Sequence, residues 1–104
     1  MIEICDNLTE IMEQEFNKDK ILVLQFKSDF CEPCHALECE LEELDELRDD
    51  ISVLSIDCAE NEDELEKFNV YQTPAMIIFN KQKEMIHSSD SVILCQDIIE
   101  IIDR

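Results

Sequence analysis

Apolar residues recur along the chain in two rhythms, and the rhythm predicts the elements. Residues 1–5 alternate apolar and acidic, which suits a short edge strand. Asp6 or Asn7 can cap a following helix whose inward residues are Leu8, Ile11, Met12 and Phe16. After the polar turn Lys18-Asp19-Lys20, the run Ile21-Leu22-Val23-Leu24-Gln25-Phe26 has strand length and almost no polar break. Such a run reads as a central strand buried on both faces. A long helical pattern follows Cys34, with Leu37, Leu41, Leu44 and Leu47 as its stripe and acidic residues over much of the remaining surface. Ile51 to Asp57 reads as a second buried strand. Glu60 to Phe68 reads as a short acidic helix with Leu65 and Phe68 inward. Ala75 to Phe79 is a third apolar strand, Asn80 to Lys83 a turn, and Glu84 to His87 a returning hairpin strand. Ser91 can cap a last helix that turns Cys95, Ile98, Ile99 and Ile102 inward.

The predicted order is β-α-β-α-β-α-β-β-α. Alternation through the first three strands implies parallel neighbours with right-handed crossovers, and the final hairpin adds an antiparallel pair. This is an α/β domain, a mixed central sheet flanked by helices on both faces. At 104 residues, with 45% of them hydrophobic, the chain suits one packed core, so residues 1–104 are expected to form a single domain.

Charge narrows the partners. Eight Lys and Arg stand against 27 Asp and Glu, a formal net charge of −19. Nucleic acid and anionic membrane surfaces both call for a basic footprint, so neither is an expected partner. No apolar run reaches the roughly 20 residues of a spanning helix. The first residues show no basic start and no long apolar stretch, which reads as a cytoplasmic chain. The sequence has no glycine. Positive φ must therefore be taken by other residues, and Asn7, Asn69 and Asn80 are the expected ones.

Of six cysteines, Cys5, Cys58 and Cys95 sit in apolar segments and Cys39 falls within the long helix; all four read as buried small hydrophobes. Cys31-Glu32-Pro33-Cys34 differs, because it falls where a buried strand gives way to a helix. A thiol at a helix N-terminus faces unpaired N–H groups and the positive end of the dipole, and both stabilise thiolate. Pro33 suits the first helical turn. Two intervening residues bring the second sulfur within reach of a mixed disulfide on the first. Cys31 is then the exposed nucleophile and Cys34 the buried resolving thiol, a redox reading specific to a Cys-x-x-Cys in a βαβ unit.

With these residues in place, nearly the whole chain resembles the thioredoxin family. Leu22 to Phe26 is similar to the family's strand before the site, and Phe30-Cys31-Glu32-Pro33-Cys34 to its aromatic-Cys-Gly-Pro-Cys motif. Val53 to Asp57 is similar to its next strand, and Thr73-Pro74 follows Phe68-Asn69-Val70 at the family's distance. The resemblance implies a thioredoxin fold and dithiol–disulfide exchange with protein disulfides, supplied with electrons by a thioredoxin-reductase-like donor and needing no organic cofactor or metal. It implies a cis Thr73–Pro74 bond facing Cys31, with Pro74 shaping the site and the Thr73 backbone pairing with substrate.

The chain also departs from the family. Glu32 replaces Gly and disfavours the neighbouring Cys31 thiolate, whereas a protonated His35 would favour it. Gln25 stands where the family's buried Asp is thought to move a proton for the resolving cysteine, which implies slower product release. Phe30 replaces Trp, and Asp90 replaces a Gly beside the site. With Glu32 it implies a narrower or more basic partner set. Cys39, where many family members carry a helix-kinking Pro, has a second reading as a third redox thiol.

Three rival readings use the same residues. Cys31 to His35 spells the Cys-x-x-Cys-His signature of haem attachment, with Met76 and Met85 as axial candidates, but both fall in strands. Cys31, Cys34, His35 and Cys39 are nearby zinc donors, though helical register splays them and no second motif at zinc spacing exists. A thioredoxin-like binding module or redox-regulated adaptor would use the acidic surface and keep the dithiol as a switch. His87 reads as part of an exposed edge strand.

Overall fold

The structure is a computed structural model that describes residues 1–104. The elements are β1 (Ile2–Ile4), α1 (Leu8–Asn17), β2 (Ile21–Lys27), α2 (Glu32–Leu47), β3 (Ile51–Asp57), α3 (Glu62–Lys67), β4 (Ala75–Phe79), β5 (Met85–Ser89) and α4 (Cys95–Ile102), with a 3₁₀ turn at Cys58–Glu60. The sheet runs β1-β3-β2-β4-β5. Strands β1, β3 and β2 are parallel, while β4 pairs antiparallel with both β2 and β5. This is the mixed sheet of the expected α/β fold.

Strand alternation divides the core in two. On one face Ile21, Val23, Val53 and Ile78 pack against Leu37, Leu41 and Leu44 of α2 and Cys95 and Ile98 of α4. On the other, Leu22, Leu24, Phe26, Leu54, Ile56 and Ile77 pack against Leu8 and the half-buried Ile11, Met12 and Phe16 of α1 and Leu65 of α3. Every residue of β2 from Ile21 to Phe26 is buried, as its unbroken run predicts.

Several expectations are corrected. Leu47 is exposed, because an inward stripe through Cys34, Leu37, Leu41 and Leu44 next meets position 48. Arg48 caps α2 there and bonds Asp50 and Asp103. Ser91 does not cap the last helix. The helix α4 starts at Cys95, and Glu40 Oε1 of α2 accepts the Cys95 N–H at 2.8 Å. The acidic segment after β3 is split, because Asp57 accepts from the Ala59 N–H and buried Asn61 donates back to the Asp57 carbonyl. Positive φ falls at Asp19, Phe30, Asn69 and Lys83. Of the expected asparagines only Asn69 takes it. Asn7 precedes α1 with φ −123°, and Asn80 instead accepts two N–H bonds through its side chain, from Gln82 and Glu84. No helix is long and apolar enough to cross a membrane.

Candidate active site

The strand β2 delivers Ser28-Asp29-Phe30 to the end of the sheet, and Cys31 becomes the N-cap of α2 with φ −106°. The Cys34 N–H donates to Cys31 Sγ at 3.2 Å, so the sulfur takes one of the helix's orphan donors. Glu32 and Pro33 occupy the first turn, where the missing proline N–H leaves no bond unmade. Cys31 and Cys34 are joined as a disulfide, with S–S 2.22 Å and Cα–Cα 5.2 Å. Cys31 is half-buried, whereas Cys34 keeps only 3% of its surface. That asymmetry matches an attacking and a resolving sulfur.

Around the pair, Thr73–Pro74 is cis. Ser28 Oγ and Thr73 Oγ1 lie 2.7 Å apart in a hydrogen bond that ties the segment before Cys31 to the one before β4. Phe30 is fully exposed in the left-handed region, with φ 59°. A bulky aromatic is uncommon there, and such strain concentrates at functional sites. A cleft of about 230 Å³ opens beside the disulfide, lined by Lys27, Asp29, Phe30, His35, Glu38 and Asp57 among others. A second groove, about 390 Å³, runs between residues 68–72 and the end of β5, and a hydrogen bond joins Gln72 Nε2 to Asp90 there.

Lys27 is the cation of the cleft, and it is already engaged, with Glu3 at 3.1 Å and Glu38 at 3.8 Å. Partial burial works against its charge, but these carboxylates and Asp57 outweigh burial and hold the ammonium above its ordinary range. His35 is largely exposed, 3.8 Å from Glu38.

The remaining cysteines divide differently from the expectation. Cys5 and Cys39 are exposed, Cys58 is half-buried and Cys95 is buried. Ile4 of β1 turns inward, so its neighbour Cys5 turns out. Cys39 stands two residues, about 200° of helix, from the inward Leu37. It therefore sits apart from the redox pair, and no group of three or more His, Cys, Asp or Glu side chains gathers in metal-binding geometry. Burial pushes the Cys58 thiol up, with Asp57 adding to it. Burial also pushes Cys95 up, helped by Glu43 and Glu40. Met76 is buried in β4 and Met85 is exposed in β5.

Sequence reasoning passed over Ser28 and Ser55. Ser55 carried a readable signal, a hydroxyl inside the apolar run Val53-Leu54-Ser55-Ile56. Ser28 carried none, since its partner Thr73 is 45 residues away.

The family model for thioredoxin matches residues 5–104. The mitochondrial thioredoxin-2 of Schizosaccharomyces pombe is 34% identical over 67 residues, which is 64% of this chain and 50% of that protein. The match thus spans half the length of the fission-yeast relative. A thioredoxin of Echinococcus granulosus is 28% identical over 78 residues, 75% of this chain and 73% of its own. Among solved structures, chloroplastic thioredoxin z superposes with a TM-score of 0.86 at 25% identity, covering 99% of this chain and 91% of that one.

Proposed function

The chain belongs to the thioredoxin family, and from that membership we propose that it is a thiol–disulfide oxidoreductase that reduces protein disulfides. The observation that carries this is the Cys31–Cys34 bond at the N-terminus of α2, one sulfur reachable and the other buried. The Cys31 thiolate attacks a substrate sulfur, and the first substrate thiolate departs. Cys34 then attacks Cys31 Sγ, the second substrate thiol leaves, and the Cys31–Cys34 bond closes. Two electrons and two protons from a thioredoxin-reductase-like donor reset the pair. Phe30, Glu32, Pro33, Thr73 and Pro74 shape the face on which substrate docks, and Tyr71, exposed in the 68–72 segment, extends it.

The charges favour basic partners. Asp29, Glu32, Glu38, Asp57 and Asp90 surround the pair or its flanking groove, while the charge of Lys27 is offset by the carboxylates it pairs with. Six of the eight basic residues lie at the opposite end of the sheet: Lys18, Lys20, Arg48, Lys81, Lys83 and Arg104. An acidic face steers basic surfaces toward it, and salt weakens the effect. Glu32→Gly and Asp90→Gly should slow reduction of a disulfide flanked by Lys or Arg relative to that of a neutral one. Equal rates on both substrates would remove the preference.

A reducing compartment, the cytoplasm, suits four unpaired cysteines of which two are exposed. Cell fractionation that finds the chain in an oxidising compartment would overturn this.

Two assays test the main reading. Insulin disulfides should be reduced with dithiothreitol as electron source, and Cys31→Ser should abolish this. Cys34→Ser should accumulate the mixed disulfide. Equilibration with glutathione should give a potential near or below about −250 mV, whereas about −180 mV or above would indicate an oxidant or isomerase. An inert chain with a reversible disulfide would instead be a redox-regulated adaptor, a reading the acidic face also supports.

A further inference from the structure

Under the resolving cysteine lies a polar pair that the exchange steps leave unused. Gln25 of β2 and Ser55 of β3 are register partners on adjacent parallel strands, and both are fully buried. Their sequence neighbours Leu24, Phe26, Leu54 and Ile56 line the α1 face of the sheet. Alternation therefore turns Gln25 and Ser55 toward α2, where Cys34 opens the inward stripe. Contact is direct, since Gln25 Nε2 donates to the Cys34 carbonyl at 3.1 Å.

Two atoms are left over. Gln25 Oε1 and Ser55 Oγ are buried without a hydrogen-bond partner. Buried polar atoms are nearly always paired, so two orphans on neighbouring strands call for a reason. Met76, the partner of Gln25 on its other side, offers no donor. The oxidation state of Cys34 supplies the reason. As a disulfide its sulfur carries no proton, and as a thiol it carries one S–H donor.

We propose that Gln25 and Ser55 are positioning residues that accept the S–H hydrogen bond of reduced Cys34, with Gln25 Oε1 as the acceptor and Ser55 Oγ, on the neighbouring strand, as the alternative. The proposal rests on the reading of Cys31–Cys34 as the exchange pair. Opening that bond takes two electrons from a dithiol donor and two protons. One proton ends on Cys34, and the S–H it forms is the donor that the orphan oxygens lack. The orphan atoms then disfavour the disulfide and favour the dithiol. Neither an amide nor a hydroxyl takes the proton at neutral pH. When Cys34 attacks the mixed disulfide, its proton leaves through solvent and ends on the departing substrate thiolate. The titrating groups that face Cys34 are Cys31, Lys27, Asp29, His35, Glu38 and Asp57 in the adjoining cleft, and the polar pair adds none.

The test is equilibration of wild type, Gln25→Met, Ser55→Ala and the double variant against glutathione, with thermal unfolding of the oxidised and reduced forms. Methionine fills a similar volume without the oxygen. Gln25→Met should move the equilibrium about tenfold toward the disulfide, about 30 mV more reducing. Ser55→Ala should move it about threefold the same way, and the double variant further than either. A shift below twofold in Gln25→Met, or one in the other direction, overturns the proposal. A merely structural role would destabilise both redox forms alike and leave the potential unmoved. Should Gln25→Met fail to fold, Ser55→Ala decides, and an unmoved potential there counts against it. If wild type itself does not equilibrate, the exchange reading falls and this proposal with it.

Discussion

Two polar pairs are buried in this core, one on each face of the sheet, and they are finished differently. On the α1 face, Ser52 Oγ donates to Glu15 Oε1 at 2.6 Å and Lys18 reaches Glu15 Oε2 at 2.7 Å. Burial pushes the Glu15 carboxyl up, but the hydrogen bonds from Lys18 and Ser52 outweigh it and hold it below its ordinary range. On the α2 face, Gln25 and Ser55 are buried as deeply, yet each keeps an unpaired atom. The first pair sits at the end of β2 and β3 away from Cys31 and Cys34, where the exchange would not alter it. The second touches Cys34, which the proposed exchange would protonate and deprotonate. On the proposed reading, the completed pair is a structural joint and the incomplete one awaits the Cys34 thiol.

Breaking the finished pair should have the largest effect on stability. Glu15→Ala leaves Ser52 buried without its acceptor and should lower the unfolding free energy by about 2 kcal/mol, read by urea titration. Most of that belongs to Ser52, since Lys18 is largely exposed and a surface pair contributes roughly 0.3–0.5 kcal/mol. The redox potential should not move. Ser52→Ala should lower stability by about 1 kcal/mol. Acid should then expose the same joint. A carboxylate held below its ordinary value of 4.5 contributes stability above that pH, and the contribution is lost as pH falls through the folded value. Urea midpoints from pH 7 to pH 3 should therefore fall more steeply for wild type than for Glu15→Gln. The smallest stability change belongs to Ser55→Ala in the disulfide form, within about 0.5 kcal/mol, because the hydroxyl is unpaired there and gives up no bond. A cost near that of Ser52→Ala would erase the distinction between the pairs.

The element order, the mixed sheet and the two site cysteines were all legible in the sequence, because periodicity and the Cys-x-x-Cys junction are local signals. Other features depend on neighbours distant in the chain. The α4 cap comes from Glu40, 55 residues before Cys95, so Ser91 looked the better candidate. Leu47 continued the leucine stripe by type but not by helical phase. Cys5 and Cys39 followed the general burial of cysteine until strand and helix phase turned them outward. Gln25 was visible as a departure, but its register pairing with Ser55 on the neighbouring strand was not.

A chain without glycine also has a narrower unfolded ensemble. Asp19, Phe30, Asn69 and Lys83 hold left-handed backbone with side chains attached, at roughly 1 kcal/mol of native strain for each residue. Glycine at Lys83 would relieve that strain and widen the unfolded ensemble by a comparable 0.4–1 kcal/mol or so, leaving stability nearly unchanged. The turns of this protein are thus limited from both ends of the folding equilibrium: the folded chain carries strain, and the unfolded chain has less freedom to lose.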